Sequence, residues 1–188
     1  MNTKFAHWWY LVFLYALPLS AAPLDSSVDV VRLYCQLDFD GNRLSSRTYA
    51  KIGSLSQWED EPGWDTIILV KAFDVMDSSM VGDSATCTVR YDIVAILAGE
   101  KIVFPEEPEW QKYSTRMTLP EVCFELSFVR DCWKVFRPVV HPHVSIHCAL
   151  KHIQKLLDTD KKYGTMRPEL FQSFERLKAR QEARLQYE

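Results

Sequence analysis

The stretch from Phe124 to Arg137 is the strongest constraint on the fold, because its side chains sort cleanly only as a β-hairpin. Arg130-Asp131 supplies a two-residue turn. Around it Phe128 stands opposite Trp133, Leu126 opposite Val135 and Phe124 opposite Arg137. The other face then carries Val129, Cys132, Ser127, Lys134 and Glu125. A slip of one residue would turn every side chain to the wrong face, so this register is well specified. Ala85 to Leu97 is a second strand: Cys87, Val89, Tyr91, Ile93 and Ala95 alternate with Thr86, Thr88, Arg90 and Asp92 before the pattern turns wholly apolar. Asp65 to Val75 is β-rich and should be broken by Asp77-Ser78-Ser79 and Gly82-Asp83. Gly99 to Trp110, rich in Pro and Glu, reads as a loop. A strand from about Arg116 to Arg130 leads into the hairpin, with Pro120 at a bulge or edge.

Helices flank this meander. Ser26 and Ser27 can cap a helix showing Val30, Val31, Tyr34 and Leu37 on one face, ended by Asp40-Gly41-Asn42. Tyr49, Ile52 and Leu55 mark a second, over Thr48 to Leu55. Ser145 caps a third, with Ile146, Leu150, Ile153 and Leu157 at helical spacing. A last helix opens at Pro168 and reaches about Gln186, showing Leu170, Phe171, Phe174 and Leu177 before turning charged. Helices, a long antiparallel meander and further helices predict an α+β class. Apolar residues at 47% supply ample core for one such domain.

The first 22 residues bear on compartment. Lys4 precedes an apolar run, Phe5 to Leu19, that holds no Asp, Glu, Lys or Arg, and Ser20-Ala21-Ala22 follows. Charge, apolar run and small residues in that order predict a secretory signal peptide, cleaved after Ala21 or Ala22. The run is shorter than the ~20 residues needed to span a bilayer as a helix. The competing reading is an uncleaved anchor. The expected organisation is a signal peptide over 1–22, an α+β domain over 23–160 and a charged amphipathic helix over 161–188. Residues 23–160 hold 14 Lys/Arg against 21 Asp/Glu, whereas 161–188 hold 7 against 4. Such an acidic body carries no basic, aromatic-interleaved stripe, which argues against nucleic acid as a partner.

Gly82-Asp83-Ser84-Ala85 leading into Val89-Arg90-Tyr91, then Phe124-Glu125-Leu126, then Trp133-Lys134-Val135 followed by Pro138, resemble elements of the nuclear transport factor 2-like (SnoaL-like) superfamily. The likeness covers roughly residues 26–157. It implies a strongly curved sheet shaped as a cone, closed by the N-terminal helices over an apolar pocket, with additional C-terminal helices. It places Tyr34, Tyr91, Phe124, Leu126, Phe128, Trp133 and Val135 at that pocket, as ligand contacts or as core.

Three candidate chemistries follow. Tyr34 and Asp38, four apart on one helix face, could join Tyr91 as base and hydrogen-bond donors in proton abstraction; the alternative leaves Asp38 at a solvated helix end. His141, His143, His147 and Cys148 are metal-type ligands within eight residues, with His152 beyond. A helix capped by Ser145 leaves His143 outside it, however, so no metal and no cofactor are expected. Cys148 beside His147 is poorly placed for nucleophilic catalysis, and no phosphate loop or nucleophile elbow appears. Of the five cysteines, Cys87 and Cys132 should lie on strands two apart, too far to bridge; Cys35 and Cys148 are the pair least excluded. The expected protein is periplasmic or secreted, with no stable membrane insertion after signal removal. It binds or scaffolds an apolar small molecule or a protein, a homodimer among the possibilities. The runner-up is an isomerase, dehydratase or hydrolase working by acid-base chemistry in the same pocket.

Overall fold

Two long antiparallel strands organise the chain, and everything else packs against one of their faces. A computed structural model describes residues 26–58, 60–61, 63–117 and 120–185; the expected signal peptide over 1–22 lies outside the described residues. Strand β1 (Thr66–Val81) pairs with β2 (Ser84–Ala98) through the Gly82-Asp83 turn, where Gly82 has φ +57°. β1 runs on through Asp77-Ser78-Ser79, which the sequence suggested would end it. A register shift between Val75 and Ser78 absorbs Asp77 as an irregularity, and Ser78 and Ser79 then pair with Cys87 and Thr86, so the strand continues without stopping.

The sheet continues through β3 (Lys101–Val103), β4 (Glu121–Val129), β5 (Cys132–Arg137) and β6 (His143–Ser145), in the order β5-β4-β2-β1-β6 with β3 on β2. Among these strands the pairings are antiparallel except β6 on β1, so the sheet is mixed where an antiparallel one was expected. The hairpin register holds at Phe128 with Trp133 and Leu126 with Val135. Arg130 and Asp131 both have positive φ, 51° and 62°, as a two-residue turn of this hand requires. Arg137 pairs with Glu125 where Phe124 was expected, because a shift lies between Glu125 and Leu126. That shift lets Arg137 reach the Glu125 carboxylate at 2.7 Å while Phe124 stays on the inner face. Cys87 on β2 and Cys132 on β5 are separated by β4, the expected two-strand spacing, and all five thiols are free.

Helix α1 (Ser27–Phe39) is capped by Ser26, whose Oγ accepts from the Asp29 amide at 3.1 Å. After a 3-10 turn (Asn42–Leu44), α2 runs Ser46–Gly53, shifted two residues towards the N-terminus of its expected span. A short helix α3 (Trp110–Met117) replaces the expected start of the strand at Arg116. Trp110 and Tyr113, one turn apart, both pack on the inner core, and that contact outweighs a β-prone composition. Helix α4 (Ile146–Tyr163) is capped by Ser145 Oγ, which accepts from the Cys148 amide at 3.3 Å, and α5 (Pro168–Leu185) follows.

The result is an α+β fold built on a strongly curved sheet. α1 and α2 fill its concave side over Ile68, Val70, Val89, Phe124, Leu126 and Val135. α4 and α5 cover Ile67, Leu69, Ala95 and Leu97 on the opposite side. Among the described residues no helix is long and apolar enough to cross a membrane.

Candidate functional site

The polar side chains that could do chemistry converge inside the concave core. The four-residue spacing on α1 points Tyr34 and Asp38 the same way. Gly41 then turns the chain with φ +76°, a conformation a side chain would strain, and a Cβ there would meet Leu44 Cδ1 at 3.2 Å and Cys148 Cβ at 3.3 Å. This turn brings Arg43 back beneath α1. Parallel pairing of β6 on β1 brings His143 to the same point.

Asp38 is only 1% exposed, which corrects the alternative of a solvated helix end. Its Oδ2 accepts the backbone N–H of His143 at 3.0 Å and Nη1 of Arg43 at 3.4 Å. Arg43 donates further to Tyr34 Oη at 3.3 Å, to the Val140 carbonyl at 2.8 Å and through Nε and Nη2 to the Glu61 carboxylate at 2.8–3.1 Å. With an acceptor at each of its three nitrogens, the guanidinium tolerates burial. Trp64 donates its indole N–H to Glu61, stands over the guanidinium at 5.6 Å and meets His141 at 4.5 Å between ring centres. Behind Asp38, the His143 ring stacks on Tyr91 at 4.0 Å, and Tyr91 Oη lies 3.2 Å from Cys35 Sγ.

Burial sets the protonation of this group. It raises the Asp38 carboxyl to about 6, against the pull of Arg43 and the His143 amide. It lowers the His143 imidazole to about 3, with Arg43 adding to the effect. The Cys35 thiol goes up to about 12, and desolvation also pushes both Tyr34 and Tyr91 well above the ordinary phenol range. At neutral pH Asp38 is therefore a carboxylate beside the Arg43 guanidinium, among neutral imidazole, phenols and thiol. Asp38 Oδ1 and both His143 ring nitrogens are buried without a hydrogen-bond partner.

The side chains expected at an apolar pocket divide in two. Tyr34, Tyr91, Phe124, Leu126 and Trp133 are buried in the inner core, whereas Phe128 is 41% exposed at the rim, edge-on to Trp133 at 5.3 Å. Side chains bordering a water-sized space would keep accessible surface, and Tyr34 and Phe124 keep none. Of the histidines, His143 faces Tyr91, His141 faces Trp64 and His147 is exposed on α4. No group of three or more metal-type side chains forms among the described residues.

Arg43, Glu61 and Trp64 complete the cluster and were not singled out from the sequence. Their one signal was aromatic residues inside an acidic turn, Trp58 and Trp64 around Glu61. Comparison with protein-family models, with curated proteins and with solved structures finds no match for this chain.

Proposed function

We propose that the chain is an exported, non-catalytic binding protein, a divergent relative of the nuclear transport factor 2-like proteins whose recognition surface lies outside the cone. One observation carries this reading: the residues that would bind or turn over a ligand in the concavity are packed against one another and closed to solvent. Small-molecule sites usually occupy about 300–1,000 Å³, and a concavity occupied by α1, Tyr34 and Phe124 leaves no such room at these side chains. Export rests on the order of charge, apolar run and small residues over 1–22. Apolar side chains instead reach solvent at the hairpin tips, through Met80, Val81 and Phe128, and around the α4–α5 turn, through Met166 and Phe171.

Three measurements test the reading together. Protein from the exported fraction should begin at residue 22 or 23, and it should consume no component of a metabolite extract from the exporting cell. Crosslinking in intact cells should trap a reproducible partner. A second reading, acid-base catalysis, is favoured by the raised Asp38 carboxyl beside an uncharged His143 and requires α1 to lift. Turnover of a metabolite that disappears in Asp38→Asn would establish it and overturn the first.

A further inference from the structure

The cleft between α4 and α5 is a large concave surface that neither core fills, and its shape and charge bear on what could occupy it. On one side it spans about 760 Å³ beside the α4–α5 turn; an adjoining stretch of about 580 Å³ extends it along α4. The two share Gln154, Asp158 and Phe174, so they form one trough. Along α4 it runs from Leu150 to Lys162, roughly 18 Å at 1.5 Å per residue. Its floor is apolar, built from Leu150, Leu157, Phe171 and Phe174, and Met166 closes one end. Phe171 is 54% and Met166 85% exposed, large apolar side chains facing water where both helices have already buried Ile153, Leu170 and Leu177.

The rim is basic. Lys151, Lys155 and Lys162 flank the trough from α4, Lys161 stands near the turn and Lys178 on α5. Among the described residues Lys151, Lys155, Lys161 and Lys178 take part in no ion pair. Three acids also line the trough: Asp160 Oδ2 lies 3.1 Å from Arg167 Nε, Asp158 accepts from Gln154 at 2.9 Å, and Glu175 stands on α5, so six Lys/Arg against three Asp/Glu leave the lining net basic. Residues 146–185 hold nine Lys/Arg against five Asp/Glu, opposite in sign to the acidic body.

We propose that this trough receives an acidic amphipathic helix of another protein, which deepens the binding-protein reading above and rests on it. A third helix laid between two others buries its apolar stripe at the usual 8–10 Å between axes, and 18 Å of trough fits about three turns of it. Acids flanking that stripe would meet Lys151, Lys155, Lys161 and Lys178, a complementarity that sets orientation and speeds association. The competitors fit less well. A bilayer is flat and would touch the protruding Met166 and Phe171 without reaching Leu157 or Phe174. An acyl chain would lie half in water, whereas lipid-sized ligands are ordinarily enclosed over most of their surface. The chain's own apolar run, Phe5 to Leu19, contains no Asp or Glu to answer the lysines.

The test is selection from a displayed library of 14-residue helical peptides, about the length of the trough, against the full exported chain. Enriched peptides should carry apolar residues at i, i+3, i+4 and i+7 flanked by Asp or Glu. Phe171→Asp should weaken the selected peptide at least 10-fold. Lys155→Glu with Lys161→Glu should do the same, flatten the salt dependence, and recover affinity for a peptide whose acids are changed to Lys. Circular dichroism and melting temperature confirm that each variant is folded. Enrichment of basic or non-amphipathic peptides, or binding indifferent to both sets of variants, overturns the proposal. Binding to phosphatidylglycerol vesicles without peptide binding overturns it in favour of a membrane surface. A cellular partner crosslinked elsewhere with unchanged affinity for Phe171→Asp overturns the trough alone and leaves the binding-protein reading intact.

Discussion

Replacing His143 with Phe should separate two buried titrations that oppose each other in the wild-type protein. In the unfolded chain His143 takes a proton near 6.5, but in the fold not until about 3. Its contribution to stability is therefore complete above 6.5 and is lost as pH falls to about 3. At ~1.4 kcal/mol per pH unit that amounts to roughly 5 kcal/mol. Asp38 behaves in the opposite sense: its carboxyl rises from 3.8 unfolded to about 6 folded. Its contribution is complete below 3.8 and is lost as pH rises through 6, roughly 3 kcal/mol in all. Between pH 6 and 3.8 the two slopes cancel.

Phe at 143 keeps a ring against Tyr91 and keeps the backbone N–H that Asp38 accepts, while removing the titration. Urea unfolding at several pH values, compared with wild type, isolates the effect, since other titrating groups are common to both. The variant should gain roughly 3 kcal/mol on wild type between pH 6.5 and 4, more than 1 M in urea midpoint at the usual slope for small proteins. Asp38→Asn should drift the other way, losing roughly 3 kcal/mol on wild type between pH 6 and 4. Flat difference curves for both variants would mean that neither group is desolvated in solution, and the sealed cluster would be wrong.

Three further outcomes follow from the same packing. Arg43→Met leaves Asp38 and Glu61 without their shared cation and should cost about 3–5 kcal/mol in thermal or urea melts; an unchanged melt would mean that Arg43 is solvated. Trp133→Ala should cost about 3–5 kcal/mol and Phe128→Ala, at the exposed rim, about 1 kcal/mol; equal losses would show that the inner face is misassigned. Gly41→Ala should cost about 1–2 kcal/mol for its left-handed backbone, with more from crowding against Leu44 and Cys148, and a neutral result would show that the turn relaxes.

The sheet was legible wherever side chains alternate and harder to read wherever they do not. Thr86 to Asp92 alternates because β2 there has α1 on one face and solvent on the other. The wholly apolar run that follows marks the point where α4 and α5 take the second face, burying Ala95 and Leu97 while Ile96 faces inward. The same doubling explains Ile67 to Val70. β3 escaped notice because three residues give no period, although Ala98 pairs with Lys101 across a Gly99 turn at φ +59°. The continuation of β1 past Asp77 was hidden for a related reason. Polar residues on a bulged, exposed strand look like a loop until their partners on β2 are known.

The candidate site was half legible, and the missing half shows what sequence spacing can reach. Tyr34 and Asp38 are coupled by one helical turn, so their shared face could be read directly. His143 joins them across 105 residues and through its backbone amide, a donor that every non-proline residue carries and that no side-chain pattern reveals. Metal-ligand spacing groups His141, His143 and His147, but strand β6 and the start of α4 send them in three directions, to Trp64, to Tyr91 and to solvent. Arg43 was overlooked because a charged residue beside a turn usually faces water. Here each of its nitrogens finds an acceptor inside the protein, which keeps Asp38 ionisable in a core otherwise built of Val, Ile, Tyr and Phe. A cluster assembled from one helical turn, one distant amide and one folded-back loop is specified by tertiary packing. Its counterpart outside the sheet, the basic trough of α4 and α5, is written along two helices at regular spacing, which is why its chemistry can be read from sequence once the helices are placed.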